Sequence, residues 1–177
     1  MNHPRMFFFR KKFHLVIVCT ANRTRSAYFA GYLKHYLAQY RPSALRKIRI
    51  TSAGTKAAGG GRVNDVVALI ARNQGFSLRE HTAGPLSDTL VKRADLILVM
   101  EQEHKDFILE KWPESKEKVF RLMEYGWQAD PEEASKTEVL DVPDPTGRNA
   151  DDFKAFIETA HAEADRLIHE LVHREIV

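Results

Sequence analysis

Two spacings of apolar residues alternate along the chain. Phe13-His14-Leu15-Val16-Ile17-Val18 is short, β-branched, almost continuously apolar and closed by a polar loop, the pattern of a buried strand. From Thr24 the spacing changes to three and four residues: Tyr28, Phe29, Tyr32, Leu33, Tyr36, Leu37 and Tyr40 predict one face of a helix that Pro42 ends. That aromatic stripe is expected in the core. Lys47 to Thr51 alternates charged and apolar residues and turns at Ser52-Ala53-Gly54, which predicts a second strand. Asn64 or Asp65 is placed to cap a further helix, with Val66, Val67, Leu69 and Ile70 as its apolar face and Gly75 as its stop.

His81-Thr82-Ala83-Gly84-Pro85-Leu86 reads as a loop leading into a short helical turn. Ala94 to Met100 is the clearest buried strand, and Glu101 to Lys111 reads as a helix until Pro113. Lys118 to Met123 predicts a fourth strand. Tyr125 to Gly147 holds two Asp-Pro pairs and no sustained period. A loop of that length exceeds the usual structureless connection and suggests a functional lid. Ala150 to His173 then sets Phe153, Phe156, Ile157, Ala160, Ala164, Leu167, Ile168, Leu171 and Val172 on one face of a long packed helix.

Strands alternating with helices imply α/β architecture: a four-stranded parallel sheet between two layers of helices, with ligands bound beyond the carboxyl ends of the strands. The chain has 177 residues, which fits one domain over 13–177 preceded by a mobile leader, residues 1–12. That leader carries Arg5, Arg10, Lys11 and Lys12 around Phe7-Phe8-Phe9. The apolar run after it is short and broken by His14, which argues against a secretion signal. No stretch approaches a membrane span.

Composition adds a few exclusions. With 44% hydrophobic and 29% charged residues the chain is an ordinary globular sequence, and a formal charge of +3 is too small to argue for nucleic acid. A single cysteine forbids an internal disulfide and any mechanism needing a second thiol in this chain. It also suits a reducing compartment, so a cytoplasmic location is expected.

That cysteine is where chemistry concentrates. Val18-Cys19-Thr20-Ala21-Asn22-Arg23-Thr24-Arg25-Ser26 lies between the first strand and the first helix. A loop in that place aims several backbone N–H groups at one spot, and the helix N-terminus adds partial positive charge, so the spot binds an oxyanion. The same field stabilises a thiolate at its base. A loop of five residues can curl around one phosphate while Arg25 closes it with a bidentate fork, and the Ser26 hydroxyl can donate to the thiolate. Two other features are weaker. Gly59-Gly60-Gly61 could cradle a phosphate, but outside a strand-to-helix junction it reads more simply as a flexible linker. His161, Asp165, His169 and His173 recur every four residues, a spacing open to a metal, yet a solvated polar face is the plainer reading.

The chain resembles the low-molecular-weight protein tyrosine phosphatases. The resemblance rests on Val18-Cys19 through Arg25-Ser26, Thr51-Ser52-Ala53-Gly54-Thr55, His81-x-Ala83, Ala94 to Met100, and Asp144-Pro145, in the family's order, over roughly residues 13–175. It implies a phosphatase working through a phosphocysteine, with Cys19 as nucleophile, Arg25 as phosphate clamp and Asp144 as general acid. Thr20, Ala21, Asn22, Arg23, Thr24 and Ser26 would surround the phosphate, while Asn22, Ser26, Ser52 and His81 would form the polar network that holds the loop. Asp141 and Asp130-Pro131 compete for the acid's role, and the resemblance selects Asp144. It implies a phosphorylated protein as substrate, inorganic phosphate as product and inhibitor, and no metal or cofactor.

The chain departs from the family at Ala21, where glycine is usual, and at Thr24, where a second cysteine is common. Aromatics that grip a phenol ring are missing: Thr146-Gly147 and Ala57-Ala58-Gly59-Gly60-Gly61 occupy those places, leaving Tyr125 or Trp127 to swing in. Arg23 adds charge at a position that helps set leaving-group preference. It favours an acidic substrate flank and disfavours a phosphoguanidinium. Three alternatives remain: an arsenate reductase, whose thiol relay needs cysteines this chain lacks, a phosphoarginine phosphatase, and a non-catalytic phosphate-binding module.

Overall fold

A computed structural model describes residues 11–126 and 140–177. The bulk of the predicted leader, and with it Trp127 and Asp130, lies outside the described residues. Strand β1 (Phe13–Cys19) pairs in parallel with β2 (Ile48–Gly54) on one side and β3 (Leu96–Val99) on the other. Strand β4 (Val119–Arg121) completes a parallel sheet of order β2-β1-β3-β4. Successive side chains of a strand point to opposite faces, so β1 serves two cores. Leu15, Ile17 and Cys19 join a cluster with Tyr28, Phe29 and Leu33 of α1 (Arg25–Tyr40) and Phe156, Ala160, Ala164 and Leu167 of α6 (Ala150–His173). Val16 and Val18 face the other cluster, with Val91 of α4 (Asp88–Arg93) and Ile108 of α5 (Gln102–Lys111). Helices therefore cover both faces, as the alternating pattern predicts.

The differences from the pattern have local causes. Pro42 does end α1, but it also opens α2 (Pro42–Lys47), because proline's fixed φ suits a first helical turn that has no N–H to satisfy. A 3₁₀ turn over Pro113–Lys118 starts the same way. Helix α3 (Asp65–Asn73) is capped by Asn64, whose side chain accepts from Val66 N at 2.9 Å, and it stops at Gly75 with φ +89°. Only Val67 and Ala71, four residues apart, are fully buried on it, and Val66 and Leu69 are exposed. Four apolar residues in five positions cannot all share one stripe. Tyr40, at the tip of α1, likewise leaves the core at 64% exposure.

Candidate active site

Cys19 is the last residue of the central strand, and its Cα partner across the sheet is Gly54. The main chain of β2 continues past that pair and grips the loop: Thr55 N donates to Cys19 O and Lys56 N to Thr20 O, each at 2.9 Å. Such close approach needs a residue without Cβ. One built on Gly54 would lie 2.5 Å from Thr20 O and 2.9 Å from Asn22 N.

Within the loop, Asn22 alone among its residues takes a left-handed conformation, φ 56°. Asparagine tolerates this better than most residues, and its other contacts hold it there. Its carbonyl accepts from His81 Nε2 at 2.8 Å, and its Oδ1 accepts from Gly84 N at 3.1 Å. A carbonyl only accepts, so His81 carries its proton on Nε2. Asn22 Nδ2 in turn donates to Ser26 Oγ at 2.9 Å, and Ser26 Oγ lies 3.0 Å from Cys19 Sγ and 3.4 Å from Ala53 O. With Asn22 supplying the hydroxyl's incoming bond, the Ser26 proton is available to the sulfur, its nearer acceptor. Ser52, half-buried on β2, makes no hydrogen bond with Asn22, Ser26 or His81 among the described residues; Ala53 O enters the network from that strand instead. Ala21 needs no left-handed backbone, so glycine's freedom is not required there.

Arg25, only 2% exposed, is surrounded by acceptors. Nη1 donates to Val142 O at 2.9 Å and pairs with Glu101 Oε2 at 2.6 Å. Nη2 pairs with Asp144 Oδ2 at 2.9 Å and lies 3.4 Å from Thr20 Oγ1. Its buried Nε has no acceptor among the described residues. Leaving a donor of this kind unmet costs about 1–3 kcal/mol.

Asp144 is 41% exposed. Burial pushes its carboxyl upward, but hydrogen bonds from Thr146 and the Arg25 guanidinium outweigh that and hold it below the usual range. Asp141 is engaged elsewhere, accepting from Gln102 N at 3.0 Å and pairing with Arg121 at 3.3 Å. Thr24 Oγ1 lies 3.0 Å from Thr146 Oγ1, so the position where a second thiol is common links the loop to the Asp144 segment.

Glu101 and His104 have no counterpart among the residues singled out from the sequence. Glu101 follows directly on Met100, beyond the carboxyl end of β3, and that position was the available signal. It caps α5, while His104 Nδ1 accepts from Glu101 N at 3.1 Å. His104 therefore carries its proton on Nε2, which donates to Thr20 Oγ1 at 2.8 Å. Burial first, and then the charge of Arg25, lower the His104 pKa to about 4.

Other expectations from the sequence resolve differently. Gly59-Gly60-Gly61 is tied to the rim, Gly60 N donating to Ala83 O and Ala83 N to Gly61 O. Arg23 lies against it, its Nε donating to Arg62 O at 2.8 Å and its carbonyl accepting from Asn64 N at 2.7 Å. Tyr125 does not reach the pocket; it is buried against Phe120. His161 is bonded to Tyr28 Oη at 3.0 Å and stacked on Tyr32 at 4.1 Å, and its ladder gathers no cluster of ligand atoms among the described residues.

A parallel sheet that presents a cysteine, a buried arginine and a carboxylate around an oxyanion-binding loop defines a cysteine-dependent phosphate-loop protein. The chain belongs to the family described as low molecular weight phosphotyrosine protein phosphatase, whose model it matches over residues 14–176. A probable low molecular weight protein-tyrosine-phosphatase from Erwinia amylovora, AmsI, is 35% identical over 94 residues, 53% of this chain and 60% of that one. A protein-arginine-phosphatase from Geobacillus stearothermophilus is 26% identical over 159 residues, 90% of this chain and 96% of the other. Among solved structures, a cysteine-to-serine mutant of the YwlE arginine phosphatase, carrying a phosphorylated active-site serine, matches at a TM-score of 0.79 and 25% identity. That match covers 93% of this chain and 99% of the other. None of the helices among the described residues is long and apolar enough to cross a membrane.

Proposed function

We propose that the chain hydrolyses phosphotyrosine in proteins through a phosphocysteine on Cys19. The observation that carries this is the unmet Arg25 Nε–H, a buried cationic donor beside a loop whose cysteine receives a hydrogen bond from Ser26. The Cys19 thiolate attacks phosphorus, the S–P bond forms, and the P–O bond to the leaving group breaks. Asp144, protonated for this step, gives its proton to the departing oxygen. Its carboxylate then takes a proton from water as that water attacks phosphorus, and the thiolate leaves with inorganic phosphate as product. A phosphoryl group on the loop competes with Asp144 for Arg25 Nη2. The negative charge it brings raises the carboxyl's proton affinity, which is how a group held low in the free protein becomes an acid at the right moment. The phosphorylated serine in the YwlE mutant supports the nucleophile's place by likeness.

The similarity to arginine phosphatases over nearly their whole length supports a second reading, phosphoarginine as substrate. Arg23 opposes it, since its exposed guanidinium at the rim repels a leaving group of like charge. One experiment decides: the wild type and Cys19→Ser are assayed on an aryl phosphate and on phosphotyrosine, phosphoserine and phosphoarginine peptides. Turnover of the aryl ester and of phosphotyrosine, lost in Cys19→Ser, is expected. Turnover of phosphoarginine alone would establish the second reading, and no turnover of any of these substrates would leave a phosphate-binding module.

A further inference from the structure

Next to the phosphate loop, on the side of His81, lies a cavity of about 510 Å³. Its wall carries Arg62, Arg72 and Arg79 against a single acid, Asp65, together with Ser77. None of the three arginines lies within 4 Å of a carboxylate among the described residues, whereas Arg166 on α6 and Arg148 and Arg174 just beyond its ends are each paired. Three guanidinium groups around one concave space repel one another and are stabilised by an incoming anion.

Two hydrogen bonds join this cavity to the loop. His81 lines it and also donates to Asn22 O at 2.8 Å. Arg62, another lining residue, accepts from Arg23 Nε through its carbonyl, also at 2.8 Å. Arg23, exposed on the loop and bonded to Arg62, therefore sets a further guanidinium between the loop and the cavity.

We propose that the Arg62–Arg72–Arg79 cavity is a substrate subsite that takes acidic side chains flanking the phosphorylated residue. The inference rests on the phosphatase reading above and specifies the substrates it selects: phosphoproteins with Asp or Glu beside the phosphorylated residue. Charge contacts at a partly exposed rim are individually weak and sensitive to salt. The preference is therefore modest for each arginine and screened at high ionic strength.

The test uses the full chain and the double variant Arg72→Gln/Arg79→Gln, both substitutions at exposed positions outside the reacting groups. Each is assayed on an aryl phosphate and on two phosphotyrosine peptides that differ only in carrying Glu or Gln on both flanks, at low and high salt. The wild type should favour the acidic peptide by roughly twelvefold in kcat/KM at low salt, from about 0.5 kcal/mol for each of the three arginines. The double variant should fall to the roughly twofold preference that Arg62 supplies and keep its aryl phosphate turnover. Equal rates on the two peptides in the wild type, or an unchanged preference in the variant, would overturn the subsite. Failure of the wild type to hydrolyse the aryl phosphate would instead overturn the phosphatase reading. Peptide dissociation constants, measured by fluorescence anisotropy, would then still decide whether the cavity selects acidic flanks.

Discussion

Two aspartates only three residues apart have different surroundings. Asp144 faces Arg25 and stays partly exposed, while Asp141 is tied to Gln102 N and Arg121. Asp144→Asn is therefore expected to slow turnover of an aryl phosphate with a poor leaving group by about 10²–10³, and much less when the leaving group needs no proton. Asp141→Asn should change turnover only a few-fold. Similar losses in both variants would return the acid's role to an open question. The family resemblance selected Asp144, but spacing alone could not separate these residues, because the partners that distinguish them come from other segments. Cys19, by contrast, was legible at once from its place between a strand and a helix. With no second thiol in the chain and Thr24 engaged with Thr146, prolonged peroxide should carry Cys19 past the sulfenic acid to species that reductant does not restore. Complete recovery in dithiothreitol would contradict this.

Among the elements, the strands and long helices were readable because their apolar spacing is sustained, and the short α2 and the 3₁₀ turn were not because six residues carry no period. The meaning of Gly54 was also hidden: only the folded backbone shows Thr20 O where a Cβ would sit. Gly54→Ala should displace the phosphate loop, lowering turnover more than tenfold and stability by about 1–3 kcal/mol, as activity and thermal unfolding would report. Helix α5 contributes a pH dependence through His104. Its folded pKa of about 4 lies below the ordinary 6.5, so the unfolded chain binds the extra proton between those values. The stability from the neutral buried ring is complete above pH 6.5 and is lost as pH falls through 4, a loss of roughly 3 kcal/mol. Unfolding of wild type and His104→Gln across pH 7 to 4 should show this slope in the wild type and its reduction in the variant.

At the level of the whole molecule, an anion on the loop joins groups drawn from β1, α1 and the segment before α6. It should bind the folded chain alone. Inorganic phosphate or vanadate at a hundred times its dissociation constant is therefore expected to add about 2.7 kcal/mol to stability, or roughly 5–10 °C in Tm for a chain of this size. Arg25→Ala should abolish the shift, and calorimetry would show it. The parallel four-stranded sheet and the two-sided core were legible from strand and helix alternation, while the strand order and the partners of Arg25 were not, since strand neighbours are chosen, and Glu101 and Val142 meet Arg25, only when the crossovers close.

The attachment of Arg23 has an evolutionary consequence. Its carbonyl, not its side chain, holds the loop to Asn64. A substitution there keeps the main-chain bond to Asn64 while removing the guanidinium and its bond to Arg62 O, so descendants of this chain are expected to acquire a new clientele through a single codon.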